Sequence, residues 1–229
     1  MRVTLDPRLA AAASLVRRGA AVCDVGTDHG YLAAFLLQEK ITDRVTACDI
    51  NEKPLAAAAA TAQKYGTEKG LTLRLSDGLC EVPAKEAEDI AICGMGGELI
   101  AQILAKCGYA KDQTRRFILQ PMTQIPYLRS WLYSEGFAIL KEVPAEDKTH
   151  KYTVMHVQYT GETKETDAVF AHVGKLPESK DPAAKAFILQ EAARLQKIAD
   201  GMYAGKNAQA KNFEELAQCV RTCAEEMDV

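Results

Sequence analysis

The chain lacks most of the features that would settle its chemistry at a glance. Seven cysteines occur among 229 residues, yet none is paired as CxxC or spaced with histidine as a metal ligand, so neither a zinc module nor a disulfide framework is indicated. Cys23, Cys48 and Cys93 sit inside apolar runs, and the cysteines read as buried thiols of a reducing compartment. No run approaches the roughly eighteen apolar residues of a membrane span, and residues 1–8 hold no apolar leader core, so a cytoplasmic location without membrane attachment is expected. Positive charge is in short supply: 28 Lys and Arg face 31 Asp and Glu, a net charge of −3. A nucleic-acid partner would therefore have to meet a local basic surface. What is abundant is apolar residues, at 48%, enough for one core and an appendage.

The stretch Val22-Cys23-Asp24-Val25-Gly26-Thr27-Asp28-His29-Gly30-Tyr31-Leu32 organises the rest. An apolar run ends at an acid, turns on two glycines and becomes helical, as a strand-to-helix turn does when its backbone approaches a ligand. Around it, strands are expected over 20–25, 44–49, 71–76, 89–93 and 116–120, and helices over 9–18, 31–38, 51–64, 98–106 and 126–134. Asp6-Pro7 caps the first helix, Gly19 stops it, and Pro121 closes the fifth strand. Five alternations with short connections imply a parallel sheet covered on both faces, with ligands at the carboxyl ends of its strands. Residues 137–143 and 151–159 are two further strands with no room for a crossover helix between them, hence antiparallel. A doubly wound α/β sheet finished in this way resembles the S-adenosylmethionine-dependent methyltransferases.

The rival is a dinucleotide fold, whose G-x-G-x-x-G needs glycine where this chain has Asp28 and Tyr31. A carboxylate at Asp28 would repel a pyrophosphate. A sulfonium cofactor carries an amino group and a positive sulfur but no phosphate, and it favours acids at the turn. Asp24-x-Gly26-x-x-x-Gly30 resembles the first methyltransferase motif, with Asp28 replacing the usual middle glycine. Asp49 ends the second strand 25 residues after Asp24, where a carboxylate can accept from both ribose hydroxyls. Asp77, followed by Gly78, ends the third, where methyltransferases commonly hold the adenine amino group. Each acid alone is also a common turn former; three at three successive strand ends are harder to dismiss.

With these residues placed, the whole chain resembles the bacterial family of tRNA (adenine-22-N1)-methyltransferases. The match is carried by residues 24–32, by Asp89-Ile90-Ala91-Ile92-Cys93-Gly94-Met95-Gly96-Gly97, by Leu119-Gln120-Pro121-Met122 and by Leu128-Arg129-Ser130-Trp131-Leu132. Enzymes that methylate exocyclic amines usually carry an Asn/Asp-Pro-Pro-aromatic tetrad where this chain has Gly94-Met95-Gly96-Gly97. The resemblance implies S-adenosylmethionine as cofactor, tRNA as partner, and attack by adenine N1, whose in-plane lone pair needs no prior deprotonation; no metal is implied. It implies cofactor contacts from Asp24, Gly26, Thr27, Asp28, Gly30, Asp49, Ile50, Asp77, Gly78 and Gly94. Asp28, His29, Gly94 and Met95 would lie against the reacting atoms. Tyr31, Gly96, Gly97, Gln120, Pro121 and Met122 would line the pocket for an unstacked base. Asp28 and His29 are equally readable as a solvated turn, Tyr31 and Trp131 as packing residues, and His150, His156 and His172 as structural.

Residues 1–160 form the expected methyltransferase domain, and residues 161–229 a polar linker and a helical hairpin. Asp181-Pro182 caps its first helix. Ile188, Ala192, Leu195, Ala199 and Met202 make one heptad seam, and Phe213, Leu216, Val220, Cys223 and Met227 another, with the turn at Gly205-Lys206-Asn207. Seven Lys or Arg against four acids fall between Lys175 and Lys211, so Lys175, Lys180, Lys185 and Arg194 are candidates to grip tRNA phosphates. A solvated face or a homodimer contact would use the same residues. Methylation of a small molecule or a protein, and a silent cofactor-bound RNA-binding module, remain the alternatives from sequence.

Overall fold

A computed structural model describes residues 1–228. The side chain of Asp6 accepts from the Leu9 amide at 2.8 Å and starts helix α1, Pro7–Ser14. This helix ends short of the expected Arg18. The Arg17 amide and guanidinium both donate to the fully buried Asp89 carboxylate, at 2.7 and 2.6 Å, and pull the chain away from the helical path.

The alternation follows as strand β1 (Val22–Val25), helix α2 (Tyr31–Gln38), β2 (Val45–Asp49), α3 (Glu52–Tyr65), β3 (Leu71–Leu75), β4 (Asp89–Gly96), α4 (Gly97–Lys106), β5 (Arg116–Thr123) and α5 (Ile125–Ser134). Strands β6 (Phe137–Glu146) and β7 (Lys151–Tyr159) complete a seven-stranded sheet in the order β3-β2-β1-β4-β5-β7-β6. The first five strands are parallel, and β7 pairs antiparallel with both β5 and β6. Alternate residues feed two cores: Cys23, Ile90, Ile92, Phe117 and Leu119 face α4 and α5, while Val22, Ala91 and Ile118 face α1 and α2.

Three strands run on past their expected ends. β4 and β5 continue to Gly96 and Thr123 because pairing resumes beyond a register shift, Met95 opposite Pro121 and Gly96 opposite Thr123. Pro121 has no N–H to contribute, and it lies where the ladder is already broken. β6 reaches Glu146, so the β6–β7 turn shrinks to residues 147–150. It closes on Asp147, whose carboxylate accepts from the Thr149 and His150 amides, both at 2.8 Å.

The expected linker also contains a helix, α6 (Ala168–Val173), capped by Asp167; six residues are too few to show a period. Its carbonyls Ala171 O and His172 O accept from Arg129 Nη1 at 2.9 and 2.7 Å. Arg129 is fully buried, and its other donors form a two-point pair with Glu142, at 3.0 and 2.8 Å, which Thr153 Oγ1 completes at 2.9 Å. The hairpin α7 (Pro182–Ala204) and α8 (Ala210–Glu225) packs along the expected seams, with Ile188, Ala192, Leu195 and Ala199 buried against Ala217, Val220 and Ala224. Met202, Phe213, Leu216 and Cys223 are only partly buried. Of the cysteines, Cys23 and Cys48 are buried as expected, whereas Cys80 and Cys219 are exposed. Among the described residues no helix is long and apolar enough to cross a membrane.

Candidate functional site

The carboxyl ends of β1, β2, β4 and β5 border a cavity of about 800 Å³, within the size range of small-ligand sites. The turn after β1 is pinned to β2: the amides of Gly26 and Thr27 both donate to Cys48 O, at 2.8 and 3.1 Å. Gly26 has φ of 70°, a conformation that strains any residue with a Cβ, and a Cβ there would also displace the flexible end of Met95. Asp28 adopts φ of 51° with a side chain 77% exposed, and it lies 3.7 Å from His29 Nε2, too far for a hydrogen bond.

Asp24 is the unusual acid. Only 4% exposed, it accepts from Thr27 Oγ1 at 2.7 Å. Burial pushes its carboxyl up to about 6, with the Thr27 bond opposing the shift. Asp49, at the end of β2, is held by the Asn51 amide at 2.9 Å through Oδ1, and Oδ2 has no protein partner among the described residues. Strand ends thus supply two carboxylates to one wall of the cavity.

The opposite wall is made by the irregularity in β4. At Gly94 the pairing with β5 is interrupted and φ is 81°. The amide freed by this bulge donates to Gln120 Oε1 at 3.0 Å, so a side chain replaces the missing strand partner. The same oxygen accepts from Arg8 Nη1 at 3.0 Å, and Gln120 Nε2 donates to Pro121 O at 3.1 Å. Gln120, expected to face a substrate, is instead fully buried with its amide engaged on both sides; it fixes the loop. Arg8, which comes from α1, was not anticipated from sequence. Its guanidinium lines the cavity, 3.5 Å from Asp6. The Asp6-Pro7 cap did announce the helix that carries it, but a contact across 112 residues has no local signature.

Of the expected residues, Asp24, Gly26, Thr27, Asp28, His29, Tyr31, Asp49, Gly94, Met95 and Met122 line this cavity. Asp77 lies outside the lining, 57% exposed and 3.3 Å from Lys106. Gly78 packs against Ile103, and Gly30 caps α2 against Ala58. Ile50 is 62% exposed at the rim of the Asp49 turn. Gly96 and Gly97 lead into α4. Lys175 pairs with Glu178 at 3.5 Å, Lys180 is exposed before α7, and Lys185 bonds Met227 O at 3.2 Å. Arg194 alone of these four borders a cavity next to the main one. Asn51, Cys93 and Tyr152 also line the main cavity, and Tyr152 reaches it because its hydroxyl donates to Asp147 at 2.8 Å.

Asp6, Asp24, Asp28 and Asp49 against Arg8 and His29 give the cavity a negative balance, unsuited to a pyrophosphate and suited to a ligand bearing positive charge. S-adenosylmethionine fits this donor set: carboxylates for its ammonium and ribose hydroxyls, and glycine backbone where its chain must pass closely. Among the described residues no group of three or more His, Cys, Asp or Glu could hold a metal ion.

Known proteins resemble the chain in sequence and in fold. Residues 5–155 match the family model described as a methyltransferase domain. A tRNA (adenine(22)-N(1))-methyltransferase from Bacillus subtilis is 31% identical over 172 residues, covering 75% of this chain and 72% of that protein. The solved structure of the B. subtilis m1A22 tRNA methyltransferase superposes with a TM-score of 0.81 at 27% identity, over 99% of both chains. A putative tRNA (m1A22) methyltransferase from Streptococcus pneumoniae, in complex with S-adenosyl-L-methionine, superposes with a TM-score of 0.82 at 27% identity, over 95% of this chain and 100% of that one.

Proposed function

The chain belongs to the methyltransferase domain family and, within it, to the tRNA (adenine-22-N1)-methyltransferases, and on that premise we propose that it methylates N1 of adenine 22 in tRNA with S-adenosylmethionine as donor. The observation that carries this reading is the convergence of the acidic turn after β1, Asp49 after β2 and the glycine bulge of β4 on one cavity.

When bound, the cofactor supplies a methyl group on a positively charged sulfur. Asp24, ionised and steadied by Thr27, holds its amino group; Asp49 accepts from its ribose hydroxyls; the backbone at Gly26 and Gly94 lets it lie close. Adenine N1 presents an in-plane lone pair, so no side chain has to remove a proton before transfer. The solvent-exposed Asp28 and His29 suit that requirement better than they would suit a buried general base. The residues of the chain therefore work by orientation and electrostatics. The Gly94–Met95 loop, braced by Gln120 and Arg8, keeps the base in register, and Asp28 offsets the positive charge that N1 acquires. Tyr31, Met122 and Tyr152 border the entrance and shield the base from water. A tRNA substrate supports a cytoplasmic location for this work. Residues 161–229 add tRNA contacts to the catalytic part, residues 1–160.

The test is transfer of labelled methyl to tRNA transcripts that differ only at position 22. Label is expected in the transcript with adenine 22, recovered as 1-methyladenosine, and absent when guanine replaces it. Equal labelling of both transcripts, or recovery of label on the exocyclic amine, would refute the assignment.

A further inference from the structure

A second cavity, of about 480 Å³, opens between the β5–α5 turn and α7. Met122 lines both this cavity and the cofactor cavity, so the two lie side by side with that side chain between them. One wall comes from the methyltransferase sheet, with Gln124, Ile125, Pro126 and Lys151; the other comes from α7, with Phe187, Gln190, Glu191 and Arg194. Neither part of the chain makes this cleft alone.

Its chemistry is mixed in a definite way. Pro126 is half-buried and Phe187, 7% exposed, shows the cleft only an edge, while Gln124 and Gln190 carry amides able both to donate and to accept. Lys151 and Arg194 bring positive charge, Glu191 is acidic, and the His172 ring completes the polar side. Lys151 also pairs with Glu146 at 2.9 Å. Glu191 is already engaged: it receives Arg194 Nε at 2.8 Å and Nη2 at 2.7 Å, and meets His172 Nδ1 at 2.6 Å. Burial would raise its carboxyl, but the Arg194 and His172 bonds win and hold it down at about 2, so it stays an anion paired with the Arg194 guanidinium. It serves to aim the Arg194 guanidinium, two of whose five N–H donors it consumes. The cleft is therefore a cation-bearing slot with apolar walls, unlike the acidic cavity beside it.

We propose that this cleft takes the nucleotide adjacent to the methylated adenine, its base against Pro126 and the exposed edge of Phe187 and its phosphate on Arg194 and Lys151. The proposal rests on the tRNA reading above and deepens it. An unstacked adenine in the acidic cavity drags its flanking phosphates past Met122, and the cations of the second cleft are what a polyanion meets on that side. Base stacking on apolar surfaces tolerates any sequence, which suits a slot that positions a strand without reading it.

The test uses the full chain and two variants at exposed positions of α7, Gln190→Trp, which fills the slot, and Arg194→Gln, which removes one cation; Lys211→Gln removes a charge from α8 as a control. Expected for both cleft variants is a KM for tRNA raised about tenfold with kcat and cofactor affinity unchanged, and for Arg194→Gln a salt dependence of binding shallower by roughly 0.7–0.9 in log–log slope. Transcripts abasic at position 21 or at 23 then probe the base on an unaltered protein. One of them should bind the native chain about tenfold more weakly yet bind Gln190→Trp no worse than an intact transcript does. A tRNA KM within twofold of native in both cleft variants, or an abasic penalty identical in native and Gln190→Trp chains, overturns the proposal. Failure of the functional reading is a separate result, because it shows as absence of 1-methyladenosine with the native chain.

Discussion

Asp24, in the proposed cofactor site, would serve binding at the expense of folding. Its carboxyl is raised from an ordinary value of 3.8 to about 6 by burial. A raised acid stabilises the fold in its protonated form, so this contribution is fully present below 3.8 and is lost as the pH rises through 6. At neutral pH the ionised group costs about 3 kcal/mol, to be offset when a cation binds beside it. Asp24→Asn should therefore raise the melting temperature of the ligand-free protein at pH 7.5 while weakening S-adenosylmethionine binding. In the native chain cofactor affinity should fall as the pH drops below about 6, and the variant should lose that pH dependence; a variant that melts lower, or keeps the dependence, would contradict the assignment. Gln120 gives the complementary case. Gln120→Leu leaves the Gly94 amide without its acceptor and Arg8 without its anchor, at a cost of about 1–3 kcal/mol in stability, and kcat should fall more than cofactor affinity does. Asp24, Gly26, Asp28, Asp49 and Gly94 were legible as cavity residues because strand ends and turns have local signatures, but Asp77 and Gly78 carry the same signature and lie outside the lining. Arg8 was not legible, and Gln120 was assigned to the wrong side of the wall, because both depend on one long-range hydrogen-bond pair.

At the scale of elements, local periodicity located every strand and every long helix, and it erred where tertiary contacts decide an end. Helix α1 stops early because Arg17 is claimed by Asp89, and β4 and β5 run on because their bulge lets pairing resume. The short α6 is held from outside: Arg129 supplies donors to its last carbonyls while bonded to Glu142. Replacing Arg129 by Met removes both supports and leaves the Glu142 carboxylate buried without its partner, which should cost about 3–5 kcal/mol. The double variant Arg129→Met/Glu142→Leu removes the stranded charge and should recover part of that loss, in urea unfolding monitored by circular dichroism. Equal stability of the single and double variants would show that the helix contact, not the stranded charge, sets the cost.

For the whole molecule, the alternation of strands and helices together with the closing pair of strands implied from sequence a parallel sheet with an antiparallel end, and the structure supplies the strand order. How the hairpin sits on it was not readable, since heptad seams say what faces what within the hairpin and nothing about its outer side. The structure answers through α5. Its Ile125 packs both with the sheet core and with the hairpin core formed by Leu195, Val220 and their neighbours, and its Arg129 reaches across to α6. A boundary near residue 160 is therefore a change of composition, and one helix belongs to the packing on both sides of it. Unfolding either part strips α5 of packing partners, so the two should melt as one cooperative unit. Calorimetry should show a single transition whose van't Hoff and calorimetric enthalpies agree, and saturating S-adenosylmethionine should move all of it upward. Two transitions, with the cofactor shifting only one, would instead make the hairpin an independent unit, and the cleft between α5 and α7 would then lack the fixed walls that a nucleotide slot requires.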